Sequence, residues 1–85
     1  MKIVDFFWMD EKTCIYIVDV TDLLCSAEEL FVDVKCYLND YEIWSSYVME
    51  NEDGTQIYSN NGSTYDMSKA NQERVLEFVV KEIGI

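Results

Sequence analysis

A chain of 85 residues, 49% apolar and 14% aromatic, is too hydrophobic to stay disordered. Read as a single domain over 1–85, it buries only about 60% of its unfolded surface. Its 17 acidic residues against 6 basic ones, with no histidine, give a net charge of −11, a field that repels phosphate and so excludes direct nucleic-acid binding and docking on anionic membranes.

Residues 2–9 (KIVDFFWM) are bulky and aromatic and predict a strand. On it Phe6 and Trp8 point to one side, Phe7 and Met9 to the other. A polar turn over 10–12 leads into a second strand over 13–20, rich in β-branched residues and a hairpin partner for the first. From Thr21 to Asp40 two patterns compete. Ser26-Ala27-Glu28-Glu29 fits a capping box, and Leu30, Val34, Tyr37, Leu38 and Tyr41 share one helical face. Residues 31–37 nevertheless have poor helix propensity and alternate, with Val32, Val34, Cys36 and Leu38 opposite Asp33, Lys35 and Asn39. The alternation predicts a strand over 30–38; a helix over 26–40, giving the order ββαββα, is the competing arrangement.

Asn39-Asp40 then serves as a two-residue turn into a strand over 41–49, on which Trp44 faces away from Ile43 and Tyr47. Asn51-Glu52-Asp53-Gly54 is a turn, 55–59 a short strand and 60–63 a loop. From Ser68, as N-cap, the period becomes helical: Val75, Leu76, Val79, Val80 and Ile83 form a stripe over 68–83, Glu77 and Lys81 pair at i,i+4, and Gly84 ends the helix. The expected fold class is α+β, a small antiparallel sheet of four to five strands with the carboxy-terminal helix packed on one face.

Chemistry is sparse. Cys14, Cys25 and Cys36 are odd in number, eleven residues apart and without histidine, so they read as free apolar thiols and not as zinc ligands or a disulfide set. Cysteine or serine nucleophiles lack a histidine base, and adjacent acids such as Asp10-Glu11 and Glu28-Glu29 read as hydrated. There is no phosphate-binding glycine loop, and Asn51-x-Asp53-Gly54 lacks the first and last ligands of a calcium loop. The expectation is no enzyme, no cofactor and no metal. Asp5 interrupts the apolar run a signal peptide would need, and no stretch reaches the ~20 apolar residues of a membrane span, which predicts a cytoplasmic protein.

The charge is uneven. Residues 1–66 carry 14 acids against Lys2, Lys12 and Lys35, whereas 67–85 are neutral. Between Cys36 and Ser68 stand Asp40, Glu42, Glu50, Glu52, Asp53 and Asp66 with no base. Carboxylates two apart on a strand face the same way at about 6.6 Å, a row that suits a groove built for phosphates. Aromatic side chains exceed what one thin core hides, and Trp44 and Tyr47 are the candidate anchors inside that acidic rim. The expected partner-binding set is therefore Asp40, Glu42, Trp44, Tyr47, Glu50, Glu52 and Asp53, and the partner a basic protein.

On the acids Asp40, Glu42, Glu50, Glu52 and Asp53 and their base-free surroundings, the chain resembles, as a class and without a shared motif, the small acidic phage-encoded inhibitors of bacterial defence, the anti-CRISPR and anti-restriction proteins. The resemblance implies a non-enzymatic DNA mimic that occupies a basic nucleic-acid-binding groove of a host protein, acting in the host cytoplasm. The alternative is a small homodimeric structural or assembly protein whose exposed aromatics meet across a two-fold axis.

Overall fold

The amino-terminal hairpin forms where the β-branched and aromatic runs lie, with β1 over Lys2–Trp8 and β2 over Thr13–Asp19. Its turn is closed by the Met9 amide donating to the Thr13 carbonyl (2.8 Å) and by the Asp10 carboxylate accepting from the Lys12 amide (2.8 Å). The computed structural model describes residues 1–49, 56–59 and 64–84; the predicted turn over 51–54 and loop over 60–63 lie outside them. The β1–β2 register shifts by one residue between Ile3 and Asp5, so Val4 sits in a bulge.

Residues 30–38 are a strand, β3 (Leu30–Leu38), and the competing helix over 26–40 does not form. Alternation decides it: Leu30, Val32, Val34 and Cys36 are all buried on one face. β3 pairs antiparallel with β2 from Thr13↔Tyr37 to Asp19↔Phe31, and its other edge is paired too, so it is the central strand, a place β-branched residues fill well. The capping box is a local turn instead, in which the Ser26 hydroxyl accepts from the Glu28 amide at 3.2 Å.

The two-residue turn at Asn39-Asp40 is also corrected. Residues 39–43 form a longer loop built on Asn39, whose side-chain oxygen accepts from the amides of Tyr41 (2.9 Å) and Ile43 (3.1 Å). Glu42, not Asn39 or Asp40, takes the left-handed conformation the reversal needs, with φ 60°. β4 therefore starts late, at Trp44, and runs to Met49. Its register against β3 changes from Tyr37↔Ser46 to Leu38↔Trp44, which makes Ser45 an extra residue whose hydroxyl donates to the Tyr37 carbonyl (3.3 Å). The bulge brings Trp44 onto the same face as Tyr47, where simple alternation had them opposed.

β5 (Gln56–Ser59) continues along the same edge of β3, opposite Leu30 and Phe31, and pairs with a short β6 (Thr64–Asp66) that the sequence reading does not contain. Among the described residues the sheet thus has six antiparallel strands in the order β1-β2-β3-β5-β6, with β4 beside the carboxy-terminal half of β3. α1 (Lys69–Ile83) covers one face. Ser68 caps it, accepting from the Asn71 amide (3.3 Å), and Gly84 ends it at φ 80°. Val75 and Val79 are fully buried against Val18, Val20, Leu30, Val32, Val34, Cys36, Ile57 and Met67, while Leu76, Phe78 and Ile83 pack at the margin of that core. Among the described residues no helix is long and apolar enough to cross a membrane.

Candidate functional site

On the helix side of the sheet, at one end of the core, two rows of side chains cross the strands. One runs Trp8–Cys14–Cys36–Tyr47, the other Phe6–Tyr16–Val34. Three strand spacings separate β1 from β4, about 14 Å. Yet the Trp8 and Trp44 ring centroids lie 5.7 Å apart at an interplanar angle of 11°. Cys14 and Cys36, which follow Trp8 in the row, are small, and Trp44, one pair further along β3 opposite Leu38, leans back across that row to reach both Trp8 and Tyr16. Both thiols are free and have no exposed surface. Burial pushes both upward, Cys36 to about 12, so neither is an ionised nucleophile near neutral pH.

Tyr16 completes the group, meeting Trp44 edge-on at 5.8 Å and Phe6 at 5.8 Å. Burial, with Cys14 and Cys36 beside it, pushes its phenol to about 12. Phe6 and Trp8 remain 55% and 48% exposed, so the cluster is a surface and not a second core. Such ring pairs each contribute ~0.5–1.5 kcal/mol beyond area burial.

Acids surround the indoles. Trp8, Leu38 and Trp44 line an open concavity of about 830 Å³ together with Asp10, Glu11 and Glu42. The tips of the two hairpins are held side by side by the Leu38 amide, which donates to the Lys12 carbonyl at 2.7 Å. Hydrogen bonds from the Lys12 amide and the Thr13 hydroxyl hold the Asp10 carboxyl below the usual carboxylate range. Planar rings flanked by carboxylates suit arginine and lysine: the ring faces attract the cation at about 0.5–2 kcal/mol, and carboxylates accept charge-assisted hydrogen bonds.

The expected site residues fare differently. Trp44 is at the centre, Glu42 lines the concavity, and Tyr47 lies on the same face, 37% exposed, opposite Cys36. Asp40 belongs to a stretch without bases in sequence, but the neighbouring hairpin supplies one, and Lys12 forms an ion pair with it. Glu50, Glu52 and Asp53 lie outside the described residues. Phe6, Trp8, Asp10 and Glu11 were absent from the expected set. The period-two pattern of β1 and the acidic hairpin tip are their signal; what the sequence does not show is the pairing of β3 with β2 and the bulge at Ser45, which together join them to Trp44.

The opposite face of the sheet has another character. Tyr58 donates to an Asp33 carboxylate oxygen at 2.8 Å, and its ring meets Phe31 at 5.9 Å; burial first, then that hydrogen bond, raises its phenol. A smaller concavity there mixes signs, with Lys2 beside Asp5, Asp19 and Glu29. Among the described residues no three cysteine or carboxylate side chains converge as a metal site. Comparison of the chain with family models, with curated proteins and with solved structures gives no match.

Proposed function

We propose that this protein is a non-enzymatic acidic binding protein that docks on a basic protein surface through the Trp8–Trp44 stack and the carboxylates around it. The observation that supports this most directly is the indole pair, Trp8 half-exposed and Trp44 packed beneath it, set among Asp10, Glu11 and Glu42. Interfaces concentrate their energy in such aromatic anchors, while the net charge of −11 steers a basic partner toward them. A groove that ordinarily holds nucleic acid has the required chemistry, with cations for the carboxylates and flat apolar slots for the rings. The protein then acts as a competitive occupant of that groove, an inhibitor of a host nucleic-acid-processing or defence protein. Three free thiols are in keeping with work in the cytoplasm.

The test is immobilisation of the chain and capture from host lysate at low salt. The captured protein is expected to be released by moderate salt and by a double-stranded oligonucleotide, and to be lost when the bait carries Trp8→Ala. Retention on the Trp8→Ala bait, or indifference to the oligonucleotide, would count against the proposal.

A further inference from the structure

Among the described residues β1 is an outer strand of the sheet, with no strand paired on the side away from β2. In an antiparallel ladder, residues that exchange both hydrogen bonds with their partner alternate with residues that exchange none. The Met9 amide donates to the Thr13 carbonyl, and Met9 and Thr13 stand opposite each other in continuation of the Trp8↔Cys14 register. Met9, Phe7 and Asp5 therefore turn their backbone groups toward β2. Phe6 and Trp8 turn theirs outward, about 6.8 Å apart along the edge. The Phe6 amide confirms the direction, because it donates to its neighbour's carboxylate, Asp5 Oδ1, at 2.8 Å.

The two residues whose backbones face outward are also the two whose side chains join the aromatic cluster. Resting on the binding role proposed above, we infer that the Phe6–Trp8 edge of β1 takes up an extended basic segment of the partner as an added strand. Alternate residues of that strand would lie beside Phe6 and Trp8, within reach of Asp10 and Glu11, and the others beside Phe7 and Asp5.

Charge selects the occupant. A cationic side chain on the incoming strand replaces the hydrogen bond that Asp5 loses when the Phe6 amide is taken. A second copy of this chain offers no such compensation. Antiparallel self-pairing centred on Phe7 sets Asp5 opposite Met9, and it brings together two molecules each carrying −11. An acid on an exposed edge is a usual guard against self-pairing.

The experiment adds a blocked peptide of alternating arginine and valine to the isotope-labelled full chain and follows amide hydrogen exchange residue by residue. A peptide with proline in place of valine, which lacks every second amide, is the control. Exchange at Phe6 and Trp8 is expected to slow by roughly tenfold or more, with Phe7 and Met9 little changed, and the proline peptide is expected to give no such protection. Indole shifts at Trp8 and Trp44 without slowed exchange at those two amides would overturn strand addition and leave the docking proposal standing. Absence of any response to the peptide would overturn strand addition as well. Protection that instead grows with protein concentration alone would assign the edge to a second copy and overturn the inference.

Discussion

Replacing Trp44 by alanine removes the ring that joins the aromatic surface to the core. A fully buried tryptophan costs ~3–5 kcal/mol when truncated, and Trp44 is half-buried, so its burial accounts for about half of that. It also loses two ring partners, Trp8 and Tyr16, at ~0.5–1.5 kcal/mol each. Together these give about 2.5–5.5 kcal/mol, a large share of a small domain's stability. Trp8→Ala, at an outer position with one ring partner, costs ~1–2 kcal/mol. The same truncation uncovers Cys14 and Cys36. In the parent, a thiol reagent is expected to modify exposed Cys25 quickly and the two buried thiols slowly; in Trp44→Ala the slow phase should accelerate at equal fraction folded. Urea titration gives the stability change and thiol kinetics give the uncovering. A loss below ~1 kcal/mol with unchanged thiol kinetics would refute the claim that the indoles close over the cysteine row.

Three further outcomes are expected. Val79→Ala, at a fully buried helix position, should cost about 2–3 kcal/mol, whereas half-buried Leu76→Ala should cost ~1–2 kcal/mol; the reverse order in urea titrations would mean that the helix is rotated on the sheet. Glu42→Gly removes a side chain from a left-handed position, so its unfolding free energy in urea titration should be unchanged or raised by up to ~1 kcal/mol while partner binding weakens; a clear loss of stability would contradict the strain reading. Alkaline pH should destabilise the fold: Cys36, ordinarily 9.0, and Tyr16, ordinarily 10.0, both stand near 12 in the native state, so the unfolded chain loses these protons first. Stability is then complete below about pH 9 and falls by up to ~1.4 kcal/mol per pH unit for each group as pH rises toward about 12, and a urea midpoint flat across that range would contradict the buried, protonated cysteine.

Much of the fold was legible in the sequence because period and punctuation agreed. Ser68 and Gly84 bracket the helix as their capping chemistry requires, and the alternation of Val32, Val34 and Cys36 outweighed the capping box at Ser26. What escaped was local backbone geometry. Asn39 organises a loop through its side chain where a two-residue turn was expected, and one extra residue at Ser45 reverses the facing of Trp44. Both are shifts of a residue or so, and in a strand such a shift moves a side chain to the other face. The candidate site was half legible for the same reason. The charge and aromatic pattern points to Glu42 and Trp44, but the stack with Trp8 depends on two strands that meet only through β2 and β3, and on cysteines small enough to let rings pass over them. The pairing of Asp40 with Lys12 was hidden likewise, since the cation comes from the other hairpin.

The docking claim is tested most directly by neutralising the carboxylates of the concavity without changing their shape, as Asp10→Asn, Glu11→Gln and Glu42→Gln together. Surface changes of this kind alter stability by ~0.5 kcal/mol or less each, and asparagine at position 10 can still accept the Lys12 amide. Both tryptophans of the chain belong to the stack, so the chain's own tryptophan emission, excited apart from tyrosine, comes from this surface. Titrated against the captured partner at ~0.15 M salt, where the Debye length is about 8 Å, the triple variant is expected to associate more slowly and bind at least tenfold more weakly than the parent, with a shallower dependence on salt. Equal affinity and equal salt dependence for parent and variant would contradict recognition by acidic charge.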